Sequence, residues 1–331
     1  SHDNDFPARP SLSSNLHHKE PSITNMKTKV ALLCLLSAAY GVAQAETYAL
    51  IIGINDYPQP MGADGKPVKG DDGNPLNNDL KGAVNDAKVY KDLLTGKYGV
   101  KEANVKTLLD KQADEAGFVR DMKWLIQTPK QGDQIIFVFS GHGTQYAGGD
   151  EANGKEEGIV LSDGKLVPDN LFGDVKTLMS KAGVNETYLF DSCFSGGMSR
   201  EGWKTKAIEG AAWGKNYKAL PLSRFNPTIN TIKMRQVAAP VTPGEFAFIF
   251  ASQEGVPSID FPGTEDLPAH GLFTLALTAV LNEDPVFPAR DLVDGVAVFF
   301  EETFKDKKEI EQRPQSEYSS ASRSRLPVFL R

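Results

Sequence analysis

The sequence predicts an α/β fold with a mainly parallel central sheet and helices on both faces, and three observations carry that prediction. Short, nearly continuous apolar runs rich in β-branched and aromatic residues recur along the chain, as strands buried on both faces require. Helical patterns separate most of them at the spacing of crossover connections. Two of the runs lead directly into Gly-containing motifs bearing His142 and Cys193, and the C-terminal edge of a parallel sheet is where loops and helix N-termini converge to build sites.

Strands are expected at Tyr48 to Ile54, Val105 to Leu109, Gln134 to Phe139, Gly158 to Leu161, Thr187 to Phe190 and Phe246 to Phe250. Helices are expected at Lys81 to Leu94, Ala113 to Ile126, Asp169 to Ala182, Gly271 to Leu281 and Ala289 to Phe304. A polar tail from Gln312 to Arg325 precedes a last strand-like segment, Leu326 to Leu330. Two stretches break the alternation: Asp56 to Asp79, rich in Gly, Pro and Asn, and Ser195 to Gly244, which carries many basic residues. Both read as loops, and structureless loops this long are more often functional or cleavable than neutral. No internal repeat is read from the sequence. One domain over 46–331, with 194–244 as a connector open to processing, is the expected organisation.

Residues 1–25 are polar, hold three of the five histidines and show no apolar period, so they are excluded from the fold. From Met26 the pattern changes to a basic start, an apolar run from Val30 to Ala39, and Ala43-Gln44-Ala45. This order is that of a signal peptide over 26–45, with Glu46 as the first mature residue and a periplasmic or extracellular destination. The apolar run is much shorter than the roughly 20 residues that span a bilayer. Loss of this segment removes Cys34 and leaves Cys193 as the single cysteine, so no internal disulfide is expected. The formal net charge of −7 argues against nucleic acid as a partner.

A thiol near its free pKa is only a few per cent thiolate at neutral pH, so a nucleophilic cysteine needs an imidazole to take its proton and later return one to the leaving amine. His142, in Ser140-Gly141-His142-Gly143 at a strand end, is the candidate base for Cys193, in Asp191-Ser192-Cys193-Phe194-Ser195-Gly196-Gly197. The glycines beside both residues are read as clearance for the imidazole and for a substrate backbone. The backbone N–H groups of Gly143 and Cys193 are natural donors to a developing oxyanion. His270, which lacks such a setting, is read as a surface or capping residue, and no side chain can be named as orienter of His142.

Ala49-Leu50-Ile51-Ile52-Gly53-Ile54-Asn55, Gly82-Ala83-Val84-Asn85-Asp86-Ala87, the two strand-end motifs, Ala251-Ser252-Gln253 and Gly271-Leu272-Phe273-Thr274 together resemble the metacaspase and bacterial orthocaspase branch of the caspase superfamily. His142 precedes Cys193 by 51 residues, close to the roughly 50 known for caspases, so the spacing is a comparison with that family. The resemblance implies a caspase-haemoglobinase-like fold, a Cys/His dyad and endopeptidase activity through a thioester acyl-enzyme. Asp191 stands two residues before the nucleophile on the same strand face, where its charge attracts Lys or Arg and repels an acidic side chain. Asp86 matches the family's second specificity-pocket acid, which implies substrates with a basic P1 residue. Its alternative reading is a helix cap.

Such a specificity can also act on the connector itself, at Arg200, Lys204, Lys206, Lys215, Lys218 or Arg224, which makes self-processing an expectation beside that of an intact solvated loop. Asp150, Glu151, Glu156, Glu157, Asp163 and Asp169 are hard oxygen donors that can hold an activating calcium ion, or form a solvated acidic loop. The chemistry of the dyad needs no cofactor. Two other functions stay open at this point: a non-catalytic binding or scaffold protein of the same fold, and a peptidase or transpeptidase of other specificity.

Overall fold

A computed structural model of the protein describes residues 45–62, 64–70, 72–147, 155–193, 204–206, 242–253, 256–304 and 311–330. The signal segment as far as residue 44, the acids Asp150 and Glu151, and most of the 194–244 connector lie outside the described residues.

Six strands form the main sheet: β1 (Thr47–Gly53), β2 (Val105–Leu109), β3 (Gln134–Ser140), β7 (Asn185–Asp191), β9 (Phe246–Phe250) and β12 (Gln315–Tyr318). Their order is β12-β9-β7-β3-β1-β2, parallel throughout except for antiparallel β12 at the edge. Alternation along each central strand explains the two-sided core. Leu50, Ile52, Phe137, Phe139, Tyr188 and Phe190 point to one face, where they meet α2 (Glu115–Gln127) and α3 (Asn170–Lys181). Ala49, Ile51, Ile136, Val138 and Leu189 point to the other, under α1 (Ala83–Asp92), α4 (Leu272–Glu283) and α5 (Ala289–Thr303). The helices thus cover both faces, as the near-continuous apolar strands require. Among the described residues no helix is long and apolar enough to cross a membrane.

The structure departs from the sequence reading in three places. The run at Gly158 to Leu161 belongs to a separate antiparallel sheet of β4 (Gly143–Ala147), β5 (Lys155–Val160) and β6 (Leu166–Pro168), because the chain turns back on itself after His142. The polar tail supplies β12, whose exposed edge position tolerates Gln, Ser and Glu, whereas 326–330 is not a strand and buries Val328 and Phe329.

The third departure is a repeat. Gly62-x-Asp64-Gly65-x-Pro67 and Gly70-x-Asp72-Gly73-x-Pro75 fold as successive turns with matching bonds, Gly62 N–H to Lys66 O (2.7 Å) and Gly70 N–H to Asn74 O (2.8 Å). In each turn the Asp carboxylate accepts a backbone N–H two residues on, and Gly65 and Gly73 take φ of +75° and +77°, which glycine adopts without steric cost. Sparse apolar content hid the repeat, since turn chemistry rather than hydrophobic period defines it.

Candidate active site

β3 and β7 are hydrogen-bonded neighbours with Ser140 opposite Asp191, so the residues following them emerge side by side at the C-terminal edge of the sheet. Register therefore brings the His142 and Cys193 motifs together. Gly143 lies against the other motif's backbone: a Cβ there would stand 1.9 Å from the Cys193 carbonyl oxygen. The glycine thus makes room for a neighbouring strand end of the protein itself, where the sequence suggested clearance for a substrate. Gly141 is equally confined, with its Cβ position 2.5 Å from the Tyr57 hydroxyl.

His142 is buried and held from two sides by the ends of the Asp56 to Asp79 stretch. Its Nε2 lies 2.6 Å from the carbonyl oxygen of Asn78, which can only accept, so Nε2 carries a proton and Nδ1 is the nitrogen available to act as base. Its backbone N–H donates to the Tyr57 hydroxyl at 2.8 Å, and the Tyr57 ring packs 4.6 Å from the imidazole. The turn repeat spans the interval between these two contacts. The ring is oriented at Nε2 by a backbone carbonyl, and that has no signature in sequence. Tyr57 was equally missed, although its place just after β1 was available.

Residues 204–206 of the connector occupy the groove at this edge. The short strand β8 (Lys204–Thr205) pairs antiparallel with β10 (Ile259–Phe261), which also pairs with β11 (His270–Gly271). Lys206 N–H donates to Ser258 O at 2.9 Å. The Lys206 carbonyl oxygen accepts from Gly143 N–H at 3.0 Å and from Cys193 N–H at 3.1 Å. Its ammonium is fully buried, with Asp86 Oδ2 and Asp191 Oδ1 each 3.0 Å away and Ser140 Oγ 2.8 Å away. Four residues named from sequence, Gly143, Cys193, Asp86 and Asp191, thus converge on one lysine of the chain.

Asp86 does not cap α1, whose N-cap is Gly82; it lies in the first turn, buried at the sheet edge. Burial alone would raise its pKa, but Lys206 and hydrogen bonds from His270 and Ser140 outweigh that and hold the carboxyl below its ordinary value. His270 is the sequence reading most plainly corrected. It is buried, with Nδ1 2.9 Å from Asp86 Oδ1, because β11 turns it inward beside the acid. Gly271, quoted in the sequence as part of a family motif but given no role there, is closely confined: a Cβ there would meet Asp191 Oδ2 at 2.1 Å and the Lys206 ammonium at 2.3 Å. A third acid, Asp260, accepts from Lys81 N–H and Gly82 N–H, and burial pushes its carboxyl up.

A family model described as the caspase domain matches residues 46–325. The chain belongs to this family of cysteine-type peptidases. Over 130 residues it is 34% identical to Metacaspase-1 of Eremothecium gossypii, covering 36% of this chain and 28% of that one. Over 169 residues it is 29% identical to Metacaspase-1 of Schizosaccharomyces pombe (48% and 36%), and over 160 residues 31% identical to Metacaspase-1B of Aspergillus niger (45% and 32%). The alignments thus span about a third of the length of these relatives. A crystal structure of a Geobacter sulfurreducens protein shares the fold with a TM-score of 0.56 at 20% identity, over 85% of this chain and 97% of that one.

Within this caspase domain the thiol of Cys193 is sealed: it is buried, takes a hydrogen bond from Ser258 N–H and lies 3.4 Å from Ser258 O. Burial pushes its pKa up to about 12, Asp191 reinforces the shift, and Ser258 N–H and Lys206 oppose it. A thiol so held is protonated at neutral pH and a weak nucleophile. Of the acids considered for calcium, Asp163 accepts from Glu115 N–H and Lys165 N–H, and Glu157 from Gln145. Among the described residues no group of three His, Cys, Asp or Glu side chains is arranged to hold a metal ion.

Proposed function

We propose that the protein is an exported cysteine endopeptidase that cleaves after basic residues, synthesised in a latent form with its own Lys206 in the substrate position. The observation that carries this is the double engagement of Lys206: its carbonyl oxygen on two backbone N–H groups and its ammonium between two buried carboxylates. In the proposed reaction Nδ1 of His142 takes the Cys193 proton and Sγ attacks the carbonyl carbon. Gly143 and Cys193 N–H hold the oxyanion, and the imidazolium then protonates the leaving nitrogen as the C–N bond breaks. Water, activated by the same imidazole, hydrolyses the thioester to a free carboxylate. Applied to the chain itself, this severs Lys206 from Ala207. The segment that pairs with β10 through Lys204 and Thr205 can then leave the groove, which would re-expose Cys193 and lower its pKa.

Export is part of the proposal, supported by the basic start at Met26, the apolar run Val30 to Ala39 and Ala43-Gln44-Ala45. Glu46, the expected first mature residue, donates its N–H to Asp133 Oδ1 at 2.8 Å, and β1 begins at the next residue. N-terminal sequencing of the protein recovered outside the cytoplasm should begin at Glu46.

The test is hydrolysis of matched fluorogenic peptides ending in Lys, Arg or Asp by the mature chain and by Cys193→Ala, each with calcium and with chelator. Cys193-dependent cleavage after a basic residue supports the proposal. Cleavage only after Asp overturns the pocket assignment, and no turnover under any condition favours the non-catalytic binding protein.

A further inference from the structure

We infer that the specificity pocket is built for a lysine ammonium in preference to an arginine guanidinium, and that His270 and Thr274 set this preference. The inference rests on the reading of Asp86 and Asp191 as the pocket that receives the P1 side chain, and it goes beyond that reading by separating the two basic residues.

Arginine is recognised best by a fork, two parallel N–H groups on the two oxygens of one carboxylate, whereas lysine presents a compact point charge with three donors. The carboxylates here offer no fork. Asp86 turns Oδ2 to the ammonium, while Oδ1 accepts from His270 Nδ1 at 2.9 Å, and Gly271 N–H is shared between the two oxygens at 3.0 Å each. Asp191 turns Oδ1 to it, while Oδ2 accepts from Thr274 Oγ1 at 2.6 Å and Thr274 N–H at 3.1 Å. Each acid thus presents one oxygen, and the second belongs to the protein.

With Ser140 Oγ as the third acceptor, the pocket supplies one partner for each of the three ammonium donors, at 2.8 to 3.0 Å. The Ser140 hydroxyl donates its hydrogen bond to Asp86 Oδ2 at 2.7 Å, so its lone pair faces the lysine. Space agrees with donor count. The ammonium lies 2.3 Å from the position a Gly271 Cβ would take, and the lysine side chain is fully buried. A guanidinium brings a wider plane and five N–H groups into this enclosure, and those left without an acceptor carry the full cost of desolvation. That His270 is buried against an acid already paired with a lysine is explained by the same device, since it consumes the oxygen a guanidinium would need.

The experiment compares kcat/KM for two peptides identical except for P1 Lys or P1 Arg, on the processed chain. Lys is expected to exceed Arg by about tenfold or more, the scale of one unsatisfied buried donor. His270→Ala should shrink that ratio at least severalfold by releasing Asp86 Oδ1, and His270→Asn, whose amide can replace the Nδ1 donor, should restore it. Arg equal to or better than Lys overturns the inference while leaving basic specificity intact. Cleavage of neither, with cleavage after some other residue, overturns the underlying reading instead. A readout independent of turnover uses Cys193→Ala, in which residue 206 stays in the pocket. Lys206→Arg in that background should lower the melting temperature, and an unchanged or higher value counts against the inference.

Discussion

β7 carries a buried carboxylate at each end, and the two are treated in opposite ways. Asp191, at the C-terminal end, receives Thr274 N–H and Oγ1, Ser258 Oγ and the Lys206 ammonium. Glu186, at the other end, receives one hydroxyl hydrogen bond, from Tyr188, and its Oε1 has no partner among the described residues. Burial is nearly the same, 1% and 0% exposed, yet Glu186 is pushed by burial up to about 9 and is neutral at pH 7. The difference teaches that burial alone leaves a carboxyl in its protonated form at a cost in stability near neutral pH, whereas at Asp191 donors and a cation compensate the buried group. The charged end is also the end where His142 and Cys193 meet.

Replacing one acid at each end sharpens the contrast. Asp191→Asn removes a charge that faces the ammonium, and kcat/KM for a Lys peptide is expected to fall about 100-fold, the cost of unpairing a buried ion pair. A drop of less than fivefold, measured with the same peptide, breaks the comparison at its charged end.

Glu186→Gln should have the reverse signature, no loss of activity and a gain in stability that depends on pH. The folded chain keeps a proton on Glu186 up to about pH 9, whereas the unfolded chain loses it near the ordinary value of 4.5. The stability associated with that proton is therefore complete below pH 4.5 and is lost as pH rises through this window. Denaturant unfolding should find the variant and the parent nearly alike at pH 4.5 and the variant more stable at pH 8, by about 5 kcal/mol. A variant less stable at pH 8 would mean that Glu186 is ionised after all.

Tyr57→Phe gives the smallest expected effect. It removes the acceptor of His142 N–H, about 1 kcal/mol of positioning, so kcat should fall about fivefold with little change in KM. A change confined to KM would place Tyr57 with the substrate and not with the imidazole.

Legibility followed chemistry that is written in side chains. His142 and Cys193 stand in Gly-containing strand ends, and the strand runs showed where those ends converge. The central strands and all five described helices were located because apolar period reports burial directly. Asn78 was invisible because it acts through a carbonyl oxygen, a group every residue has. His270 was misread because it precedes the apolar helical run that begins at Leu272 and stands in no strand-end glycine motif, while its burial comes from β11 and from Asp86, remote in sequence. Lys206 was one of eight basic residues in the connector, and nothing local distinguishes it; only the pairing of β8 with β10 and the two acids do so.

The central claim, that Lys206 is held as a substrate of its own chain, is tested most directly by intact mass and N-terminal sequencing of the purified protein incubated alone and as Cys193→Ala. A new N-terminus at Ala207, formed by the parent chain and absent from the variant, is the predicted result. Cleavage elsewhere in the connector with the Lys206 to Ala207 bond intact, or the same cleavage in Cys193→Ala, would contradict it.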